Sequence, residues 1–170
     1  DYELFKKHVA IAQRLMDDII DLELEKIDAI LAKIESDPED NEVKGVEIRL
    51  WEKIKTKARE GRRTGVGITA EGDMLAALGL RYGSDEAIDF SVDIHKQLAI
   101  AAYGSSVELA KERGAFKIFD AEREKNNPFI ARLRGAAPEM YQEMVKYGRR
   151  NIACLTIAPT GTTSLMTQTT

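Results

Sequence analysis

The sequence predicts a mainly α-helical domain with a few short β-strands. Three observations predict it: apolar residues recur at helical spacing over long stretches, clusters of turn formers separate those stretches, and NIACLTIA, residues 151–158, is a continuous apolar run rich in strand formers. At 170 residues, a single core and one domain are expected.

A first long amphipathic helix is expected over Phe5 to Ile34, with Val9, Ala12, Leu15, Ile19, Leu22, Ile27, Ile30 and Leu31 on its apolar positions. The turn formers of SDPEDNE, Ser36 to Glu42, end it. A second helix follows, turning Val46, Leu50, Ile54 and Trp51 inward and a Glu/Lys face outward. Val66 to Thr69 reads as a short strand and Asp73 to Leu80 as helix again. Ser84 caps a long helix from about Glu86 to Arg113, with Ile88, Val92, Leu98, Ala102 and Leu109 as core candidates and Gly114 as its stop. FKIFD, residues 116–120, is a short strand or the approach to a turn. Short helices start at Pro128 and Pro138, and residues 151–158 have the pattern of a buried parallel strand. A last helix opens near Thr162.

Composition narrows function. A net charge of −4 argues against nonspecific nucleic-acid binding, and no apolar run approaches the length of a membrane helix. The amino terminus lacks a signal-peptide layout, and its start without Met suggests a processed chain or a piece of a longer one. One cysteine, Cys154, excludes an internal disulfide and a multi-cysteine metal site, which suits a cytoplasmic chain.

The chemical motifs are few. Gly65, Gly67 and Ala70 match G-x-G-x-x-A, but a basic, helical approach replaces the strand that a dinucleotide loop requires, so a packing or turn role is expected. Asp17, Asp18, Asp21, Glu23, Glu25 and Asp28 read as a solvated helix face, His95 as a structural or surface histidine, and Cys154 as a small core residue. IAPTGTTSLM, residues 157–166, is richer. An apolar strand turning through hydroxyl residues and one glycine into a helix would aim amides and hydroxyls at an anion, most naturally phosphate. An ordinary strand-to-helix loop capped by threonine fits the local pattern equally well. The loop lacks the Gly-Lys-Ser/Thr ending of an NTP-hydrolysing loop.

RRTGVGITAEGDMLAALGLRYGSDEA and YGRRNIACLTIAPTGTTSLM together resemble the catalytic subunit of ribonucleotide reductases, most of all the adenosylcobalamin-dependent class II family. The resemblance implies a fragment of that family's ten-stranded α/β barrel, with residues 1–60 as a helical part and 61–170 as helices plus barrel strands. It implies that Pro159, Thr160, Gly161, Thr162, Thr163 and Ser164 bind the phosphates of a ribonucleotide substrate, and that the Gly65–Gly67 segment helps build the barrel. The parent enzyme would make DNA precursors with adenosylcobalamin, none of it bound by this segment.

The family's radical chemistry needs several cysteines and an Asn-x-Cys-x-Glu site. This chain has Cys154 alone, in no such motif, and ends at Thr169-Thr170 where the family usually continues with Ser-Gly-Ile-Glu-Pro. The implied reading is an internal piece with no catalytic residue and no metal ligand of its own, inactive alone. Its partners would be substrate, the remainder of the reductase chain and, in a homo-oligomer, a second copy. A non-catalytic helical interaction module that kept the reductase fold is the alternative.

Overall fold

The computed structural model describes residues 1–169, which form eight helices. These are α1 (Tyr2–Ser36), α2 (Asn41–Gly61), α3 (Glu71–Ala77), α4 (Asp85–Arg113), α5 (Ala121–Glu124), α6 (Pro128–Ala136), α7 (Pro138–Tyr147) and α8 (Gly161–Thr167). Local chemistry sets their ends. Asp1, Asp40, Ser84, Asp120 and Asn127 each accept a hydrogen bond from a first-turn amide, and Gly114 and Gly148 stop α4 and α7 at positive φ.

α1 lies along α4 and folds back on α2, while α6 and α7 close the other side of α4. The core gathers Val9 from α1, Leu98, Ala102, Tyr103 and Val107 from α4, Ile130 and Leu133 from α6, Met144 from α7, and Val66 and Cys154 from the loops between. Leu98, Ala102 and Leu109 are buried as expected, whereas Ile88 and Val92, near the start of α4, are exposed. Leu15, Ile19 and Leu22 of α1 and Val46 and Leu50 of α2 are exposed as well.

The expected strands do not form. Among the described residues there is neither sheet nor barrel, only one parallel bridge, Val66 to Leu155. At that bridge the Val66 amide donates to the Cys154 carbonyl (2.8 Å) and the Thr156 amide donates to the Val66 carbonyl (3.1 Å). The ladder fails one step back. Regular register would pair the Thr64 amide with residue 152, but it donates to the Ala153 carbonyl (2.9 Å), a slip of one residue beside Arg62, whose φ is 45°.

Side chains also take the backbone groups that a neighbouring strand would use. Arg149 donates to the carbonyls of Asn151 and Ile152 (both 3.0 Å), Thr64 Oγ1 to that of Ala153 (3.1 Å), and the Asn151 amide donates to Ser106 Oγ (3.0 Å). Residues 149–156 are therefore an irregular segment, bent at 150 and 152, whose backbone groups are shared between side chains and scattered backbone partners such as Ser106 and Gly61. Residues 116–120 form a turn, closed by the Phe119 amide donating to the Phe116 carbonyl at 3.0 Å.

Gly65 and Gly67 serve close packing, as their sequence context predicts. A Cβ on Gly67 would lie 2.6 Å from the Thr156 carbonyl oxygen, and one on Gly65 would lie 2.9 Å from Thr156 Cγ2.

Candidate functional site

The hydroxyl-rich loop leaves the core at the end of this segment. Cys154 is fully buried, Thr156 to Pro159 are exposed, Thr160 is half-buried, and the chain then enters α8 at Gly161. The Thr160 side chain makes no capping bond to α8. Ser164 Oγ donates to the Gly161 carbonyl (2.9 Å), and the Ser164 amide to the Thr160 carbonyl (2.6 Å). Helix geometry leaves the amides of Gly161, Thr162 and Thr163 without intrahelical acceptors. A Cβ on Gly161 would meet nothing within 4 Å, so the approach to these amides is open. All six residues expected to form a phosphate loop thus lie together at one surface.

The parallel bridge brings a second loop beside this one. Both chains run the same way through Val66 and Leu155, so the segments that follow, 67–72 and 156–161, emerge at the same end. Between them and the first half of α4 opens a cleft of about 950 Å³, walled by Ile68, Leu75, Ile88, Val92, Ile157 and Ala158. Thr69, Glu71, His95 and Thr160 are its polar residues of note. Ligands of open α/β folds gather at such carboxyl ends.

A buried polar cluster holds the roots of both loops. Asp17, fully buried on α1, accepts from Arg62 Nε (2.8 Å) and Asn151 Nδ2 (2.9 Å) on one oxygen and from Arg113 (3.2 Å) and Arg150 (3.3 Å) on the other. Burial alone would raise its pKa. Hydrogen bonds from Arg62 and Asn151, with the charges of Arg62 and Arg150, outweigh that and hold it below the usual carboxylate range.

Asn151 is satisfied on every side-chain atom. Its Nδ2 donates to Asp17 and to the Arg62 carbonyl (3.0 Å), and its Oδ1 accepts from Gln13 (3.0 Å) and Ser106 (2.8 Å). Arg149 is buried as well. It pairs with Glu124 and lies 5.2 Å from the ring centre of Phe116 and 5.6 Å from those of Tyr103 and Phe119.

These contacts correct the expectation of a solvated acidic face at one position: Asp17 is interior, whereas Asp18, Asp21, Glu23, Glu25 and Asp28 reach solvent as expected. Carboxylate oxygens of the three lie within 4.8 Å of one another. Arginines nevertheless fill the positions a metal ion would take around Asp17. The cluster was absent from the sequence reading, although a signal existed. Val9, Gln13, Asp17, Ile20, Ile27 and Ile34 form one buried stripe, and two polar residues on an apolar stripe mark a buried network.

Cys154 matches its core reading. Its thiol is pushed up to about 12 by burial, with Ser106 and Arg149 opposing, so it is not a ready thiolate. His95 is half-buried, with Nδ1 2.9 Å from the Ser91 carbonyl and 3.8 Å from Glu71. No helix among the described residues is long and apolar enough to cross a membrane.

The described residues are thus eight helices around one parallel bridge, with a hydroxyl loop at the end of its second segment. The chain belongs to the ribonucleotide reductase barrel-domain family, whose model matches residues 1–170. It is 34% identical over 114 residues to the vitamin B12-dependent ribonucleoside-diphosphate reductase of Mycobacterium tuberculosis (strain CDC 1551 / Oshkosh), which covers 66% of this chain and 14% of that protein. It is 32% identical over 113 residues to ribonucleoside-diphosphate reductase subunit alpha of Treponema pallidum (strain Nichols), covering 64% of this chain and 13% of that subunit. A 58-residue match at 40% identity, 34% of this chain and 8% of the relative, links it to the ribonucleoside-diphosphate reductase large subunit of African swine fever virus (isolate Tick/South Africa/Pretoriuskop Pr4/1996). The chain thus spans about 14% of the length of the first of these relatives.

Proposed function

We propose that residues 1–170 are one unit of the catalytic barrel of a ribonucleoside-diphosphate reductase and contribute its substrate-phosphate loop, Pro159, Thr160, Gly161, Thr162, Thr163 and Ser164. The observation that carries this reading is the family match over the whole chain, which includes the A-P-T-G-T loop. The geometry agrees with it: open amides at Gly161 to Thr163, and hydroxyls of Thr160, Thr162 and Thr163 without a protein partner among the described residues. An oxyanion of the substrate would accept from these groups.

The loop works by position. Holding the phosphates fixes the ribose against reacting groups supplied elsewhere in the enzyme, which lowers the barrier through geometry. The buried Asp17 cluster anchors the residues from which the loop springs. In the family reading, the reaction replaces the ribose 2′-hydroxyl by hydrogen in DNA precursor synthesis, a cytoplasmic task.

The M. tuberculosis relative is named as vitamin B12-dependent, which supports adenosylcobalamin as the radical source of the parent enzyme. The residues of this segment do not fit that group or its radical chemistry. The sole thiol is buried and held protonated, and His95 sits against Ser91 and Glu71. Residues outside this segment would hold the cofactor.

Leu4, Ile11, Leu15, Ile19 and Leu22 form an exposed apolar stripe on α1, opposite its buried face, and the remainder of the reductase chain is the partner this surface suits. In the full-length reductase, Gly161→Val should raise the KM for substrate, because side-chain bulk would stand where phosphate approaches. Cofactor affinity should stay unchanged. An unaltered KM would refute the phosphate-loop assignment.

A further inference from the structure

We infer that Thr69 is a substrate-positioning residue, whose hydroxyl bonds the nucleoside part of the ribonucleotide held at residues 159–164; this rests on the phosphate-loop reading above. Thr69 lines the cleft between the two loops. Its Oγ1 is shut off from solvent and has no hydrogen-bond partner among the described residues. A buried hydroxyl left unpaired destabilises the molecule that carries it, so an unpaired one in a cleft wall suits a partner that arrives with ligand. A rotation of about 120° around Cα–Cβ, to another staggered rotamer, carries the hydroxyl into the position that the methyl now holds and moves the methyl on to the place of the hydrogen.

The next residue, Ala70, holds φ at 64°, a left-handed conformation that costs an alanine free energy and that no side-chain cap on α3 repays. Thr69, just before that turn, lines the cleft together with Ile157, Ala158 and Thr160, at the start of residues 159–164.

Electrostatics sets the direction in which a nucleotide would lie. Glu71 stands in the same wall, so the cleft repels phosphate while the Thr160–Ser164 turn attracts it. The uncharged part of the ligand therefore points inward. Ile68, Leu75, Ile88, Val92 and Ile157 supply apolar surface for the faces of a base, and Thr69 supplies one directional group for a sugar hydroxyl or base edge.

The test uses the full-length reductase, with a ribonucleoside diphosphate as substrate. Thr69→Val keeps the shape and removes the hydroxyl, Thr69→Ser keeps the hydroxyl, and Gly161→Val is the control for the phosphate loop. Thr69→Val should raise KM roughly three- to tenfold with kcat unchanged, the pattern for loss of one net hydrogen bond of uniform binding. Its Tm without substrate should hold or rise, because an unpaired hydroxyl is being removed, and Thr69→Ser should restore KM.

An unchanged KM in Thr69→Val beside a raised KM in Gly161→Val would overturn the role of Thr69 alone. A fall in Tm with the rise in KM, unrescued by serine, would make the packing of the whole side chain the cause, and overturn it too. An unchanged KM in Gly161→Val would instead remove the phosphate loop, and with it the orientation on which this inference rests.

Discussion

Asp17 carries more of the structure than any other single charge. It is fully buried, and its partners come from the end of α2, the end of α4 and the segment that leads to residues 159–164. Asp17→Asn removes the negative charge and leaves Arg62, itself 5% exposed, facing a neutral amide. A loss of about 1–3 kcal/mol in unfolding free energy is expected, measured by denaturant titration, since charged hydrogen bonds are lost while Arg62 keeps its pair with Asp21 at 2.7 Å. The pH dependence has a fixed sign. The folded pKa of Asp17 is lowered, so its contribution is complete above the unfolded value of about 3.9 and is lost as pH falls through the folded value. Acid titration of the parent should show that loss, and Asp17→Asn should be flatter over the same range. Equal slopes would mean that Asp17 is not held ionised by its arginines.

Between elements, the decisive contact is the close approach of residues 64–67 to 153–156. Gly67→Ala would put a Cβ 2.6 Å from the Thr156 carbonyl oxygen, a backbone atom that cannot swing aside. The two segments must part, at an expected cost of about 1–3 kcal/mol. Gly135→Ala is the contrast. It lies in α6 with nothing within 4 Å of the added methyl, so it should be neutral or stabilising by up to about 1 kcal/mol. Thermal melts of the two variants check both signs, and a harmless Gly67→Ala would mean the segments are less tightly apposed. At this scale the helices were legible in the sequence, because caps and stops such as Ser84, Gly114, Pro128 and Pro138 act on their own neighbours. The strands were not. Strand formers report backbone preference alone, and here Arg149 and Thr64 donate to carbonyls, and Ser106 accepts from an amide, that a partner strand would have paired.

For the whole molecule, the two-faced character of α1 is the leading feature. One face, Val9 to Ile34, enters the core, and the opposite face exposes Leu15 at 58% and Leu22 at 61%. Residues 1–170 expressed alone should therefore bind an apolar fluorescent dye, and Leu15→Lys with Leu22→Lys should lower that signal without lowering Tm, since exposed positions tolerate such changes. Unchanged fluorescence would show that the dye reads another surface.

By itself the sequence determined the helical class, most helix ends, the packing role of Gly65 and Gly67, the core place of Cys154, and the family through two motif-bearing stretches. These follow from local periodicity, capping chemistry and residue order, which neighbours along the chain express. Only the tertiary structure decided that Gln13 and Asp17 are interior, that residues 151–158 make one isolated bridge instead of a sheet, and that Thr69 shares a cleft with Thr160. Each of these depends on groups brought together from distant parts of the chain. Hydrogen bonding and burial act through space, and the spacing of residues in sequence does not encode them.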